Sequence, residues 1–265
     1  MSVRINTNIE ALNAQRNIGI TADAFSKSVE KLSSGLRITR AADDAAGLVI
    51  SENLRAQVNG VNQASQNAQD GISMVQTAEG ALNEVHSILQ RIRELAVQSA
   101  NGTNDTDSQT AITDEVTQLT QAITDIGKNT KFNGVALLTG GASTDFQVGA
   151  DKGETYTVDF SSYDGATTTA LGKVDVSDIS TVDAAITAVS TQRATFGAAQ
   201  NYLEHTVASL GVASENLSAS ESRIRDLDVA SEMVNFTKTQ ILQQAGTAIL
   251  AQANSAPQNI LTLLR

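Results

Sequence analysis

Apolar residues recur along much of the chain at steps of three and four, the spacing that places them on one side of an α-helix. The clearest series extends from Leu54 to Ala96, and its steps alternate except for one repeated three between Val75 and Ala78. Such a series is the heptad pattern of a coiled coil with one phase shift. It predicts a long helix that packs against other helices.

Two further series predict partners for this helix. One extends from Val182 to Ile224 with steps of four and three, and a shorter one extends from Ile112 to Ile126. The polar stretch at residues 101–110 separates the shorter series from the first helix. Residues 44–130 and 180–225 are therefore predicted to form a coiled-coil-like bundle of three helices.

The middle of the chain has a different pattern. Phe132-Asn133-Gly134 is a turn signal, and apolar and polar residues alternate from Phe146 to Phe160 around the sequence GADKGE. Alternation on both sides of a turn predicts a β-hairpin. Residues 161–178 are rich in Ser, Thr, Gly and Asp and are predicted to be loop or short strand. The predicted fold is mainly α, a long helical bundle with a small β-hairpin region.

Both ends of the chain have amphipathic patterns without an obvious partner in this bundle. Near the N-terminus the apolar spacing is interrupted around Arg16–Ala22, and near the C-terminus an apolar series extends from Val229 to Ala253. Pro257 is expected to end that second helix. Because an isolated helix is marginal in water, we infer that the two arms need each other or neighbouring chains.

Composition excludes several kinds of chemistry. The chain has no Cys, two His and one Pro among its 265 residues, and 3% of them are aromatic. Disulfides, thiolate zinc sites and a cysteine nucleophile are therefore excluded. No catalytic, cofactor or metal site is predicted, because no known catalytic or nucleotide-binding motif occurs and the pairs of Asp lack further ligands. Asp43-Asp44 is expected to begin a helix instead.

Charge and hydropathy limit the possible partners. The net charge is −11, which divides into +3 for residues 1–40 and −14 for the remainder. An acidic chain is not expected to bind nucleic acid. No apolar run is long enough for membrane insertion, and the N-terminal sequence has no secretory signal. These features alone favour a cytoplasmic location.

Several sequence motifs identify a family. They are INTN followed by AL at residues 5–12, LSSGLRI at 32–38, AADDAAG at 41–47, QRIRELAVQ at 90–98 and FNG at 132–134, with ILQQAGTAILAQAN at 241–254 and PQNILTLLR at 257–265. Together they resemble the two ends of bacterial flagellin. The resemblance covers residues 1 to about 139 and about 180 to 265.

The resemblance implies a division into two domains. Residues 1–43 with 226–265 would form an inner coiled-coil core domain from both termini. Residues 44–225 would form an outer rod, including a β-hairpin or loop segment at about 131–178, without room for the further outer domains of larger members. Apolar residues of the two arms would build the filament core; they are Ile5, Ile9, Leu12, Phe25, Val29, Leu32, Leu36, Met233, Phe236, Ile241, Ala245, Ile249, Leu263 and Leu264.

The resemblance also implies function and partners. The chain would polymerise with itself into the extracellular flagellar filament for motility, after type III export without a cleaved signal peptide. This replaces the cytoplasmic expectation. Implied partners are an export chaperone at the C-terminal arm, the filament cap and the hook-associated proteins.

A further implied partner is Toll-like receptor 5 of vertebrate hosts. By resemblance, the receptor contacts would come from Gln90, Arg91, Glu94 and Leu95, with Glu115 on the next helix. Arg91 and Leu95 are four residues apart and are expected to share a helix face, whereas Ile92 and Ala96 belong to the packed series.

Three alternatives stay open at this stage. A hook–filament junction protein shares flagellin-like ends, although the extent of the C-terminal match favours flagellin. A secreted coiled-coil type III effector or translocator would need a markedly apolar segment, which the sequence lacks. An enzyme would have to hide its site in residues 140–178, which contain no His or Cys.

Overall fold

The computed structural model describes residues 7–138, 143–160 and 179–263, with side chains as far as Ser255 in the last range. Five α-helices occupy most of these residues, so the prediction of a mainly α fold is confirmed. Two short antiparallel hairpins lie between the third and fourth helices. The helices are α1 (Ile9–Ser34), α2 (Ala45–Ser99), α3 (Thr106–Asn129), α4 (Ile179–Arg225) and α5 (Val229–Leu263).

Short polar side chains begin the helices. The Asp44 carboxylate accepts a hydrogen bond from the amide of Gly47 at 2.8 Å where α2 starts. The Asp105 carboxylate accepts one from the amide of Ser108 at 2.9 Å where α3 starts. Each oxygen satisfies an amide that has no partner within its own helix. The prediction that Asp43-Asp44 begins a helix is therefore confirmed.

Contacts along the chain divide it into two compact units. The terminal unit consists of Met1–Ala56 and Leu217–Arg265, and the middle unit consists of Gln57–Asn216. The terminal unit includes α1, α5, the first residues of α2 and the last residues of α4. The middle unit includes the rest of α2 and α4, all of α3 and both hairpins.

The core of the middle unit is built by aliphatic side chains from three helices. Leu82, Val85 and Leu89 of α2 are fully buried. They belong to one apolar cluster with residues of α3 and α4, so the predicted series do pack together as a helical bundle. Members of the cluster from α3 and α4 include Ile112, Val116, Ile123, Val182, Val189 and Phe196.

Both hairpins are short and antiparallel. Strand β1 (Lys131–Phe132) pairs with β2 (Val135–Ala136) through a turn at Asn133 and Gly134, whose φ angles are 47° and 83°. Two positive φ angles give the turn whose twist matches the flanking strands. Strand β3 (Thr144–Gln147) pairs with β4 (Thr155–Val158), which confirms the predicted hairpin. The predicted loop at 161–178 lies outside the described residues.

The second hairpin packs on the helices of the middle unit through positions that have small side chains. Gly71 of α2 lies against the Phe146 ring, and Gly60 lies against Ala150 in the loop between β3 and β4. The Asn67 amide donates to the carbonyl of Gln147 at 3.1 Å. The hairpin backbone therefore approaches α2 closely at a place where a larger side chain would not fit.

Replacing Gly60 by Ala tests this close approach. A methyl group at position 60 would lie 3.0 Å from the Ala150 Cβ, whereas one at position 80 would meet nothing within 4 Å. Alanine in a helix interior is favoured over glycine by up to about 1 kcal/mol. We expect Gly80→Ala to raise the free energy of unfolding by about 0.5–1 kcal/mol. We expect Gly60→Ala to lower it by about 1–2 kcal/mol, because overpacking outweighs that gain.

Urea unfolding followed by circular dichroism measures both changes. Gly80→Ala is the matched control, since it makes the same substitution in the same helix. Equal stabilisation by the two substitutions would show that the loop at Ala150 does not constrain α2.

Candidate assembly surface

The two terminal helices pair with each other in the terminal unit. Half-buried or buried positions recur at alternating steps of three and four on both of them. This spacing is that of a coiled-coil contact. The positions are Ala11, Ala14, Ile18, Thr21, Phe25, Ser28 and Leu32 on α1, and Glu232, Phe236, Thr239, Gln243, Gly246, Leu250 and Ala253 on α5.

Direct contacts join the two helices near one end of the pair. The rings of Phe25 and Phe236 stack with centroids 5.0 Å apart. The Ser28 hydroxyl donates to a carboxylate oxygen of Glu232. Offset aromatic contacts and a hydrogen bond to a charged acceptor both stabilise such a pair. The inference that the arms need each other therefore has a structural basis.

Helix α1 is continuous through Arg16–Ala22, where the apolar spacing in the sequence is interrupted. Ile18 fills the gap in the series. A methyl group added at Gly246 would lie 2.8 Å from the Cγ1 atom of Ile18, so the two helices approach closely there. Six of the fourteen contact positions are Ala, Thr or Ser, which an apolar pattern based on large side chains does not reveal.

The expectation that Pro257 ends the C-terminal helix is wrong. Helix α5 extends from Val229 to Leu263 and contains Pro257 in its last third. Proline fixes φ near the helical value, so a helix can continue across it if the lost hydrogen bond is tolerated.

Two short connections hold the base of the helix pair. Leu36 and Asp226 form an antiparallel bridge. On either side of it the Arg37 amide donates to the carbonyl of Arg225 at 2.7 Å, and the Leu227 amide donates to the carbonyl of Gly35 at 3.0 Å. Gly35 has a φ of 71°, the left-handed conformation that commonly ends a helix. The segment after α1 is thereby fixed to the segment before α5.

The residues predicted to build the filament core divide between two faces. Phe25, Leu32, Leu36 and Phe236 are half-buried within the chain. The others that can be described point outward; they are Ile9, Leu12, Val29, Met233, Ile241, Ala245 and Ile249. Ile5 and Leu264 lie outside the described residues, and so does the side chain of Leu263.

The outward face of the terminal unit is extensively apolar. Ile20 and Leu242 are exposed together with the residues just named, as are Val49 and Ile50 at the start of α2. Among the buried apolar side chains of the described residues, only Ile38 belongs to this unit, and the rest belong to the middle unit. On α5, Met233, Val234, Ile241 and Leu242 line one depression, and exposed apolar patches of this kind mark interaction sites.

The residues predicted to face a receptor lie together on the middle unit, with one exception. Nη2 of Arg91 donates to Glu115 at 2.9 Å, and Nη1 donates to Glu94 at 3.2 Å. These hydrogen bonds, with the Glu115 bond the largest cause, raise the pKa of Arg91. Gln90 is exposed beside them and contacts the His86 ring. Arg91, Glu94 and Glu115 therefore form one polar surface cluster, and Gln90 lines a surface depression together with Glu94.

Leu95 is the exception and corrects the prediction. Its side chain is 2% exposed and belongs to the apolar core, so it does not share an exposed face with Arg91. The reason is that α2 contacts more than one neighbouring element, which buries a stripe wider than a single heptad series. Ile92, Leu95 and Ala96 are all buried in this stripe.

The described residues contain neither a cluster of metal ligands nor a candidate membrane-spanning helix. No group of three or more His, Asp or Glu side chains there could hold a metal ion. None of the helices of residues 7–138 and 179–263 is long and apolar enough to cross a membrane.

Comparison with known proteins identifies the family. The family model for the bacterial flagellin N-terminal helical region matches residues 5–143, and that for the C-terminal helical region matches residues 179–264. Flagellin of Halalkalibacterium halodurans is 54% identical, over 98% of this chain and 99% of the relative. Flagellin of Bacillus subtilis is 48% identical, over 99% of this chain and 100% of the relative.

A solved structure agrees with the sequence relatives. The crystal structure of Bacillus cereus flagellin superposes with a TM-score of 0.50 at 30% identity, covering 55% of this chain and 88% of that one. The chain therefore belongs to the bacterial flagellin family and is a structural subunit of the flagellar filament, whose role is motility.

Proposed function

We propose that copies of the chain polymerise through the outward apolar face of α1 and α5. The observation that supports this most directly is the exposure of large aliphatic residues on two helices that already pair through a different face. Burial of apolar surface is the main favourable term in association. Copies that meet through unlike surfaces without closing a ring would build an open helical filament.

In this proposal residues 1–43 with 226–265 form the inner core of the filament, and residues 44–225 form its outer rod. Charge supports the assignment. The terminal unit has 11 basic and 10 acidic side chains, whereas the middle unit has 7 basic and 19 acidic ones. A nearly neutral unit can be packed among copies of itself without strong repulsion, and an acidic one is better placed in solvent.

Helix α5 suggests a need for further partners before and during assembly. Met233, Val234, Ile241 and Leu242 line one shallow apolar depression on it. Such a surface would aggregate unless it is covered, which fits an export chaperone on the C-terminal arm. Export without a cleaved signal peptide, and contacts with the filament cap and hook-associated proteins, complete the proposal by family resemblance.

Replacing Ile241 by Asn tests the assembly surface. Ile241 is 58% exposed, so the change costs the single chain little, whereas in a filament it would leave an amide in an apolar contact. Loss of one buried aliphatic side chain amounts to about 1.5–3 kcal/mol. We expect the critical concentration for seeded assembly to rise about tenfold to a hundredfold, measured by sedimentation and by negative-stain electron microscopy.

Val135→Asn is the matched control for that variant. Val135 is a similarly exposed aliphatic residue, 52%, but it lies in a hairpin of the middle unit. Its substitution should change the critical concentration less than twofold. Assembly of the Ile241→Asn chain at the parent concentration would sink the proposal, as would a parent chain that forms no filaments when seeded.

We also propose recognition by Toll-like receptor 5 through the polar cluster on α2 and α3. The family resemblance supplies the receptor, and the structure supplies an exposed cluster of Gln90, Arg91, Glu94 and Glu115. Leu95 is left out of this surface because it is buried. Its effect on recognition would be indirect, through the position of Arg91 one helical turn away.

Replacing Arg91 by Ala tests the receptor proposal. Hydrogen bonds to charged groups contribute about 1.5–3 kcal/mol each, so loss of this guanidinium should weaken binding about tenfold or more. We expect a rise of that size in the concentration of monomer that half-maximally activates cells bearing the receptor.

Arg55→Ala is the control for the receptor variant. Arg55 lies on the same helix, is similarly exposed and pairs with Glu52, but it is 36 residues away from Arg91 along α2. It should activate the cells like the parent. Equal activity of all three chains would exclude the cluster as the receptor contact.

A further inference from the structure

Pro257 leaves a backbone carbonyl of α5 without its usual donor. In an α-helix each carbonyl accepts a hydrogen bond from the amide four residues later. A proline nitrogen has no hydrogen, so the carbonyl of Ala253 receives no such bond from position 257. Helix α5 nevertheless continues to Leu263. Ala253 is half-buried, and a partly buried carbonyl left unpaired is unfavourable, so another donor is expected at this position.

Asn8 provides that donor from the other end of the chain. Its Nδ2 atom donates to the carbonyl oxygen of Ala253 at 2.7 Å. The other end of the same amide group, Oδ1, accepts from the amide of Ala11 at 3.1 Å and begins α1. A single planar side chain thus completes the first turn of one helix and the interrupted turn of the other.

We propose that Asn8 replaces the backbone donor that Pro257 removes and thereby fixes the register between α1 and α5. Other contacts align the helices near their base, where the Phe25 and Phe236 rings stack and Leu36 bridges Asp226. At the end of the pair that holds Asn8 and Ala253 the contact positions are uncharged and include Ala11, Ala14 and Gly246, so Asn8 supplies the specific polar contact there. A shift by one heptad would leave the carbonyl of Ala253 without its partner. It would also place the Asn8 amide beside carbonyls that already have helix donors.

This inference rests on the proposed assembly, since the filament is the state in which the register of the two helices has consequences. It goes beyond that proposal by naming a contact that aligns the arms within one subunit. A misaligned pair would displace the outward apolar residues of α1 relative to those of α5. Neighbouring copies would then meet a different surface.

A double-mutant cycle tests the register contact. Asn8→Ser keeps a good first-turn cap but is too short to reach the Ala253 carbonyl. Pro257→Ala restores the helix donor, so that Asn8 is no longer needed there. We expect Asn8→Ser to raise the critical concentration of seeded assembly about tenfold in the parent chain and less than twofold in the Pro257→Ala chain. The interaction is the difference between these two effects, so any change caused by Pro257→Ala alone cancels.

Two further comparisons keep the outcomes separate. Asn8→Ala removes the cap as well and should raise the critical concentration in both backgrounds. An equal effect of Asn8→Ser in both backgrounds, or no effect in the parent, would overturn the register contact. Failure of the parent to assemble would instead count against the proposed function and would be seen before any variant is compared.

Discussion

The terminal unit cannot bury its own large aliphatic side chains, and the other features of the molecule follow from this constraint. Its two long helices use Ala, Thr, Ser, Gly and Gln for much of the face on which they meet. Ile38 is its sole buried apolar residue among those described. Pairing of this kind removes little apolar surface from water, so it contributes only modestly to stability. The remaining driving force has to come from contacts with other molecules.

The middle unit shows the opposite distribution. Many of its heptad positions are Leu, Val, Ile or Phe, and most of these are buried within a single chain. Charged side chains pair at the rim of this core, as Arg93 does with Asp183 and Arg193 with Glu79. Exposed pairs of this kind stabilise little, but they allow an acidic surface to remain in solvent beside an apolar core. A unit built in this way buries its large apolar side chains within one chain.

Much of this organisation could be predicted from the sequence because it depends on local patterns. The heptad series of α2 and the Asn133-Gly134 turn each carry a signal within a short window, and both predictions are confirmed. The buried position of Leu95 depends instead on how many neighbours α2 has, which a single series does not contain. The close approach between Ile18 and Gly246 is not contained in any local pattern either, because these residues are 228 positions apart in the chain.

The continuation of α5 across Pro257 likewise cannot be predicted from a local sequence pattern. A local rule predicts an end to the helix, because proline removes one hydrogen bond and crowds the preceding turn. The structure shows a donor for the affected carbonyl in Asn8, near the opposite end of the chain. The hydrogen bond that Pro257 removes is thus replaced by one from Asn8. This replacement favours the alignment of α1 and α5 in which the Asn8 amide reaches the Ala253 carbonyl. In a helix pair whose base is aligned by the Phe25–Phe236 stack and the Leu36–Asp226 bridge, this single carbonyl adds a specific contact at the opposite end.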